Sequence, residues 1–207
     1  MSGSWSRLLN GMRRPGAAID HTFARLRGEF YRILLPLMGK RFKAGKGLEV
    51  RGRLVIRGPG SVVFGNNVQV WRKVTPFTHR KESVIEVGDN SVLDTVRFGS
   101  TLSIKIGSRC RIAESRIFDS DYHSVHMNRW DKDAPVRTAP IEIHDNVWIG
   151  TLAALLPGTT IGANSVVSFG SICSKEYPPN AIIAGNPARV VAPVPRARTS
   201  STEGDSK

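Results

Sequence analysis

The sequence predicts an all-β fold, a parallel β-helix of hexapeptide repeats over residues 46–191, preceded by a short helical segment and followed by a disordered tail. Three observations support this prediction. An aliphatic residue recurs every six residues through most of residues 143–178, and a small residue usually lies four positions after it. Further upstream, repeat starts are separated by near multiples of eighteen residues. Such periods are typical of solenoids, in which each turn pairs with the next.

Residues 1–45 precede the repeats and are predicted to form a basic helical segment. Five apolar residues within residues 17–35 recur at three- and four-residue spacings: Phe23, Leu26, Phe30, Ile33 and Leu34. Arginines lie between them, so we expect an amphipathic helix that ends before Pro36. Such a helix either caps the end of a domain or lies on an anionic membrane surface.

Positive charge is concentrated at the start of the chain. Residues 1–53 contain twelve Lys and Arg against three acidic residues, within a protein of formal net charge +13. This bias favours a membrane surface or an anionic substrate as partner. No nucleic-acid-binding motif follows, so no nucleic acid partner is expected. There is neither a run of eighteen apolar residues nor a signal-peptide pattern, so we expect a cytoplasmic protein, in contact at most with the inner face of the membrane.

The repeat is most regular over residues 143–178. Its first position holds Ile143, Ile149, Leu155, Ile161, Val167 and Cys173, and its fifth holds Val147, Ala153, Thr159, Ser165, Ser171 and Tyr177. We expect the first set to point into a triangular coil and the second to fit its corners. The inward set continues upstream at Phe64, Val87, Leu93, Ile106, Ile112 and Phe118. Cys110 and Cys173 occupy inward positions and lack metal-type spacing, so they act as small hydrophobic residues.

A long loop is predicted where the repeat is interrupted. Ile106 and Ile143 start neighbouring coils but are 37 residues apart, which is one turn of eighteen plus about nineteen residues. The extra residues follow Phe118, so residues 119–140 should project from the coil. Loops on rigid scaffolds often carry function. The loop begins with "DSDYHSVH", which is compatible with a polar turn, a metal site or a catalytic base with its supporting residues.

Residues 48–191 closely resemble the hexapeptide-repeat acyltransferases, in particular the galactoside, maltose, xenobiotic and surface-polysaccharide O-acetyltransferases. The most specific segments are "NVWIG" at 146–150, "PGTTIG" at 157–162 and "AGNPARV" at 184–190. The resemblance implies a left-handed coil, an exception to the usual right-handed crossover. It also implies acetyl transfer from acetyl-coenzyme A (acetyl-CoA). The segment 1–45 has no comparable match, and the tail 192–207 is rich in Pro, Ser and charge, as disordered segments are.

The resemblance assigns the general base to His123, because "HSVH" is similar to the family's "HPVH" segment. An imidazole accepts a proton near neutral pH and can return it to a leaving thiolate. Asp121 is a candidate for orienting the second nitrogen of His123 or for contacting the acceptor. The alternative for Asp119 and Asp121 is a role in forming the turn. His126 is a second candidate base, and the role of His79 is open.

The resemblance also implies a binding path for acetyl-CoA in a groove between subunits of a homotrimer. By motif, Trp148 would flank the acyl end, and Arg189 would meet the 3′-phosphate region. The path between them would be lined by Thr151, Gly170, Ser174 and Lys175. Phe169 departs from the family pattern, because "SFGS" replaces "GAGS" and puts the detail of the pantetheine path in doubt.

The expected acceptor is a hydroxyl group of a sugar or a surface-glycan precursor, with no metal ion required. Two other functions stay open at this stage. One is a zinc enzyme that resembles the β-helical carbonic anhydrases, although His123 and His126 are three residues apart and a third ligand is not obvious. The other is a β-helix that serves as a non-catalytic scaffold.

Overall fold

A computed structural model describes residues 15–195, with side chains from residue 20 onward. The predicted tail from residue 196 and the first fourteen residues lie outside the described part. One helix, α1 (Pro15–Leu37), is followed by strands only. These are β1 (Phe42–Ala44), β2 (Glu49–Val50), β3 (Arg53–Leu54), β4 (Ser61–Phe64), β5 (Gln69–Trp71), β6 (Lys73–Thr78), β7 (Val84–Val87), β8 (Val92–Asp94), β9 (Arg97–Ser100), β10 (Ser103–Ile106), β11 (Arg111–Ala113), β12 (Arg116–Phe118), β13 (Ile141–Ile143), β14 (Trp148–Ile149), β15 (Ala154–Leu155), β16 (Thr160–Ile161), β17 (Val166–Val167), β18 (Ile172–Cys173), β19 (Glu176–Tyr177), β20 (Ala181–Gly185) and β21 (Ala188–Pro193).

The strands form three sheets that wind as a parallel β-helix of seven coils, as predicted. Sheet 1 has the order β1-β4-β7-β10-β13-β16-β19, sheet 2 the order β2-β5-β8-β11-β14-β17-β20-β21, and sheet 3 the order β3-β6-β9-β12-β15-β18. Only β21 runs antiparallel to its neighbour, β20. The chain passes from sheet 1 to sheet 2 to sheet 3 in each coil. It therefore turns at three edges, which we call edge 1–2, edge 2–3 and edge 3–1.

The core lies inside this triangular coil. All twelve residues that the hexads predict to face inward or to fit a corner are buried, and so are Cys110 and the upstream repeat starts. The exception is Phe118, which is only partly buried, whereas its neighbour Ile117 is fully buried. The prediction for Phe118 was therefore wrong by one residue. The repeat unit between the inward residues Ile112 and Ile117 is five residues long and not six, and the strand alternation then turns Phe118 outward.

Edge 1–2 is built mostly from asparagines in the left-handed conformation, which L-residues other than Asn and Asp seldom adopt. Positive φ values occur at Asn67, Asn90, Arg109, Asn146, Asn164 and Asn180. Side-chain amides continue along the edge: the Asn146 Nδ2 atom donates to Asn164 Oδ1 at 3.0 Å, and Asn164 Nδ2 donates to Asn180 Oδ1 at 3.1 Å. These residues fix the turn between sheets 1 and 2.

Helix α1 covers the open end of the first coil, so the capping interpretation is confirmed. Ala24 and Leu35 are buried against it, and a Cβ atom on Gly28 would lie only 1.8 Å from the carbonyl oxygen of Leu48. The helix contacts β2 and β1. At this junction the buried carboxylate of Glu49 pairs with Arg25 at 3.4 Å.

The predicted end of this helix was wrong. It continues through Pro36 to Leu37, because a proline in the last turn removes only one hydrogen bond, and the Met38 amide still donates to the Leu34 carbonyl at 2.9 Å. The face that docks on the coil is not the apolar stripe. The large apolar residues Phe23, Leu26, Phe30 and Ile33 are exposed, with values of 58–66%. The docked face instead contains Ala24, Gly28 and Leu35, and at Gly28 the helix backbone lies against the coil.

The remaining boundaries differ slightly from those predicted. Strand β1 already begins at Phe42, within the predicted N-terminal segment, and β21 reaches Pro193, within the predicted tail. In the part of the chain that the structure describes, α1 is the only helix, and it is too polar to cross a bilayer.

Candidate functional site

The predicted loop leaves the coil at edge 3–1, between β12 and β13. Its two ends pair with each other before the loop opens. An antiparallel bridge joins Ser120 to Thr138, the Asp121 amide donates to the Arg137 carbonyl at 3.0 Å, and the Ala139 amide donates to the Asp119 carbonyl at 2.9 Å. The loop is thus held by a short two-stranded neck, which restricts its orientation on the coil.

Asp119 anchors this neck to the preceding coil. Its side chain is completely buried. One carboxylate oxygen accepts the Thr101 amide at 2.6 Å, and the other accepts the Leu102 amide at 2.8 Å and the Ser100 hydroxyl at 2.9 Å. A buried carboxylate is stable only with such partners. Asp119 is therefore a structural anchor for the loop and more than a turn former.

Arg137 fastens the other side of the neck to the following coils. Its guanidinium donates to the Pro157 carbonyl at 2.6 Å and to the Ser174 carbonyl at 3.4 Å. The Gly158 amide donates in turn to the Ala139 carbonyl at 3.2 Å. Asp119 and Arg137 together attach the base of the loop to coils on both sides of it.

A cluster of rings lies beside the start of the loop. The Tyr122 ring lies 4.3 Å from the His79 ring and 5.8 Å from the Phe118 ring, measured between centroids. His79 also contacts Phe77, at 4.2 Å. The Tyr122 ring lies over Gly99, where a Cβ atom would come within 2.0 Å of the tyrosine hydroxyl oxygen. Gly99 is required here because any side chain would displace the Tyr122 ring.

The surroundings of this cluster favour the neutral forms of its members. Burial lowers the pKa of His79, and the negative charge of Asp119 opposes that shift. Burial also raises the pKa of Tyr122 to about 12, with a further contribution from the Asp119 charge. The Tyr122 hydroxyl has no hydrogen-bond partner in residues 15–195. Both rings are therefore uncharged at neutral pH, as stacked rings should be.

His123 directly follows Tyr122 and is exposed on the loop. Tyr122 has a positive φ of 60°, in the left-handed region that bulky residues seldom adopt. Within residues 15–195 no hydrogen bond joins the Asp121 carboxylate to the His123 imidazole, so the orienting role of Asp121 stays a prediction. His126 is also exposed, and its amide donates to the Ser124 hydroxyl at 3.2 Å.

The residues predicted to bind acetyl-CoA lie at several places in one chain. Trp148 is half exposed on the outer face of sheet 2, and Thr151 and Gly170 stack at edge 2–3, where the Gly170 amide donates to the Thr151 carbonyl at 3.0 Å. Ser174 and Lys175 lie at edge 3–1, near the loop neck. Arg189 is on β21. Exposed Phe169 and Leu152 flank edge 2–3. The structure does not gather these residues into one pocket within a single chain.

The sequence did not reveal the partnership of His79 with the loop. His79 lies in "TPFTHRKES", which the repeat period marks only as an insertion. The structure shows that it directly follows β6 at edge 3–1, where its amide donates to the Ser100 carbonyl at 2.8 Å. His79 and Tyr122 are 43 residues apart, and two coils of eighteen account for only 36, so the period alone does not bring them together.

Among the described residues, no three His, Cys, Asp or Glu side chains are grouped as a metal site requires. His123 and His126 thus lack the third ligand that a catalytic zinc ion needs within one chain.

Comparison with known proteins confirms the hexapeptide repeat. Residues 140–175 match the family model described as bacterial transferase hexapeptide (six repeats). A curated relative, galactoside O-acetyltransferase from Escherichia coli (strain K12), is 40% identical over 89 residues, which are 43% of this chain and 43% of that protein. The chain thus matches less than half of that relative's length.

Solved structures share the fold. AntD, an N-acyltransferase from Bacillus cereus in complex with dTDP and 3-hydroxybutyryl-CoA, has a TM-score of 0.63 at 18% identity, covering 77% of this chain and 86% of that one. A hexapeptide-repeat acetyltransferase from Vibrio cholerae O1 biovar eltor, complexed with acetyl-CoA, has a TM-score of 0.53 at 22% identity, covering 86% of each chain. At these identities the likeness shows the fold alone.

Proposed function

We propose that this protein transfers an acetyl group from acetyl-CoA to a hydroxyl group of a sugar, with His123 as the general base. The observation that carries the proposal is the placement of His123, an exposed imidazole on a loop whose base is tied to coils on both sides by Asp119 and Arg137. The similarity to a protein named galactoside O-acetyltransferase supports both the reaction and a hydroxyl acceptor.

In the proposed reaction, His123 takes the proton of the acceptor hydroxyl as its oxygen attacks the thioester carbonyl. The new carbon–oxygen bond replaces the carbon–sulfur bond, and the proton passes to the leaving thiolate. A positioned base of this kind contributes roughly 10²- to 10⁴-fold in rate. The rigid neck has a second role, because a fixed base loses little orientational freedom when the acceptor binds.

The test replaces each loop histidine in turn. We expect His123→Ala to reduce acetyl transfer roughly 10²- to 10⁴-fold, measured as thiol release from acetyl-CoA over a panel of sugar acceptors. His126→Ala is the matched control, because it removes an exposed imidazole from the same loop, and it should retain activity within a few-fold. Full activity in His123→Ala, with loss in His126→Ala, would transfer the role of base to His126.

The active site is proposed to form between subunits of a homotrimer. The loop with His123 leaves edge 3–1, whereas Trp148, Thr151 and Gly170 lie on sheet 2 and edge 2–3. These are different sides of the same triangular coil, so a base and a donor groove built from these residues belong to different chains. Cyclic trimers offer three such interfaces.

Mixed trimers test this arrangement directly. Co-expression of His123→Ala with Trp148→Ala should restore about a quarter of the wild-type rate, since chance assembly gives that share of interfaces with both groups intact. Each variant alone should be strongly impaired. Mass measurement in solution provides the oligomeric state. No recovery from a mixture that forms trimers would place the two groups in one subunit and contradict the proposal.

We also propose that α1 lies on the inner face of an anionic membrane, close to cytoplasmic acetyl-CoA. Its stripe of exposed apolar residues contains Phe23, Leu26, Phe30, Ile33 and Leu37. Between residues 15 and 53 there are nine Lys and Arg against three acids. Apolar residues beside a basic surface are typical of helices that lie in a membrane interface. Two copies of this surface would repel each other because both are positively charged, which disfavours a second copy of the helix as the partner.

Vesicle flotation tests the membrane contact. The protein should bind vesicles that contain phosphatidylglycerol and bind pure phosphatidylcholine vesicles more weakly, with the difference reduced by salt. Leu26→Ser with Phe30→Ser should lower binding roughly 100-fold. Val190→Ser with Val191→Ser alters exposed apolar residues at the far end of the coil and should bind normally. A stripe variant that changes the oligomeric state and binds vesicles normally would instead identify a subunit contact.

A further inference from the structure

Sheet 3 presents a cationic face beside the loop. Nine side chains point outward from its first four strands and their extensions, and five of them are cations while none is an acid. The five cations are Arg53, Arg57, Lys73, Arg97 and Arg116, and the other four residues are Val55, Thr75, Phe77 and Phe118. The structure pairs none of these five cations with a carboxylate within residues 15–195. Arginine and lysine gathered without counterions create a positive potential that attracts anions.

A pocket of about 250 Å³ lies within this cationic face. Its floor is formed by Val55, Thr75 and Phe77, and its cations come from three successive coils: Arg57, Lys73 and Arg97. Lys73 pairs with Arg53, Arg97 with Thr75 and Arg57 with Phe77, so the three cations lie at different positions along the strands. Lys73 and Phe77 are four residues apart, about 13 Å along the strand, and the long side chains of all three cations line the pocket between these positions. The pocket therefore combines an apolar floor with several donors for one anionic group.

The pairing of the strands places this pocket next to the proposed base. Phe77 pairs with Gly99 on the neighbouring strand, and Gly99 is the residue that the Tyr122 ring covers. Arg97 also lies 6.0 Å from the centre of the Phe118 ring, which contacts Tyr122. Tyr122 thus lies beside the strands that line the cationic pocket, and His123 is the next residue in the chain. A ligand held in the pocket can extend past Tyr122 toward His123.

We propose that this pocket binds a phosphate or diphosphate group of the acceptor, so that the substrate is a sugar phosphate ester and not a free sugar. The inference rests on the proposed acetyl transfer and adds the substrate class. Guanidinium groups match the oxygens of a phosphate in paired hydrogen bonds, and a lysine adds a compact charge. An apolar floor fits a sugar ring or a nucleobase beside that charge.

Direct binding measurements without acetyl-CoA keep this inference separate from the identity of the base. Calorimetry would compare glucose 1-phosphate, uridine diphosphate glucose, farnesyl diphosphate, glucuronic acid and glucose. We expect the phosphates to bind at least tenfold more tightly than glucose or glucuronic acid. The nucleotide and the farnesyl compound distinguish the two sources of such a group, a nucleotide sugar and a lipid-linked sugar.

Variants then assign the binding to the pocket. Arg97→Gln and Lys73→Gln should each weaken phosphate binding about tenfold or more. Arg111→Gln and Lys105→Gln are matched controls, because they remove exposed cations from sheets 2 and 1 and should leave binding unchanged. In the acetylation assay, Arg97→Gln should raise KM for the phosphorylated acceptor and change kcat little.

Three results would overturn the inference: equal affinity for glucose and glucose 1-phosphate, equal affinity for glucuronic acid and the phosphates, or equal losses in the pocket and control variants. Equal affinity for glucose and glucose 1-phosphate would show that the pocket does not recognise an anion. Equal affinity for glucuronic acid would show that it binds any negative charge and does not select phosphate. Equal losses in both sets of variants would show that the attraction is distributed over the surface. His123→Ala should bind the phosphates normally, so inactivity of that variant and failure of the pocket are separate outcomes.

Discussion

The coils before the loop and those after it share one core but differ on their outer surface. In a single row across sheet 3, Arg97 and Arg116 precede the loop, and Ala154 and Ile172 follow it. After the loop, six successive strands have two residues each at nearly constant spacing. Before it, strands vary from two to six residues and the coils contain insertions, whereas after it such long strands occur at the end of the coil, in β20 and β21. The regular coils thus serve as scaffold, and the irregular ones present distinctive side chains around the loop.

This difference explains where the similarity to known proteins falls. The family model matches residues 140–175, which lie after the loop and follow the hexad most closely. The repeat pattern reflects which residues pack inside the coil, and this packing is shared by proteins of many different activities. The residues proposed to select the acceptor, Lys73, Phe77 and Arg97, lie outside that match. We therefore expect the residues that determine acceptor specificity to lie in the coils before the loop.

The first prediction, with the largest expected effect, asks whether the two regions unfold as one. Ile104→Ala before the loop and Leu155→Ala after it both remove a fully buried side chain. Each should lower the free energy of unfolding by about 2–5 kcal/mol, because a cavity replaces the lost contacts. Urea denaturation followed by circular dichroism measures this change.

Since each coil contacts only its neighbours, cooperative unfolding depends on the pairing across the loop, where β10 pairs with β13. We expect a single transition that both variants shift by similar amounts. Lys105→Ala, an exposed change between them, should alter stability by less than about 0.5 kcal/mol. Two transitions, each sensitive to one variant only, would divide the coil into independent parts at the loop.

The second prediction concerns Asp119, at the boundary between the regions. Asp119→Ala removes the acceptor of the Thr101 and Leu102 amides and of the Ser100 hydroxyl, which keeps a longer hydrogen bond to the Val84 carbonyl at 3.3 Å. We expect a loss of about 2–3 kcal/mol in the free energy of unfolding, together with a loss of acetyl transfer as the loop neck loosens. Thermal unfolding and the thiol-release assay measure the two effects.

Asp121→Ala is the matched control for stability, since it removes a carboxylate two residues away that is only partly buried. It should unfold like the wild type. If Asp121→Ala reduces activity at unchanged stability, the predicted contact of Asp121 with His123 or with the acceptor gains support. Equal stability of both variants would show that the Asp119 hydrogen bonds do not anchor the loop.

Most of the fold could be predicted from the sequence because the coil repeats its packing every six residues. The inward residues from Ile143 to Tyr177 follow directly from that period. The period fails at Phe118, where one repeat unit has five residues and not six. No local signal in the sequence marks the missing residue. The period also says nothing about α1, whose docking face combines a close backbone contact at Gly28 with the buried side chains of Ala24 and Leu35.

The site was predictable only in part. The loop and His123 follow from the interrupted period and the resemblance. The ring cluster of His79 and Tyr122 joins segments more than forty residues apart in the sequence. Its formation depends on insertions in two coils, and a single sequence does not fix how inserted residues fold. The anchoring role of Asp119 was not predicted from the sequence, because an aspartate at a turn ordinarily forms hydrogen bonds with its own backbone.

The last prediction, with the smallest expected effect, uses the pH dependence of stability to test the ring cluster. The folded pKa of His79 is below the value of 6.5 expected in the unfolded chain. The unfolded chain therefore takes up this proton at a higher pH than the folded chain does. The stabilising contribution of neutral His79 is present above pH 6.5 and is lost as the pH falls through the folded pKa.

Replacing His79 by Phe keeps a ring against Phe77 and Tyr122 but removes the titration. The loss of stability between pH 7 and 5 should then be smaller in His79→Phe than in the wild type, as measured by urea unfolding at a series of pH values. Only a slight difference is expected because part of the imidazole remains in solvent. His126→Phe removes an exposed histidine and should leave the wild-type slope. Parallel slopes for His79→Phe and the wild type would mean that His79 titrates alike in both states, and that the rings do not pack as tightly as their centroid distances indicate.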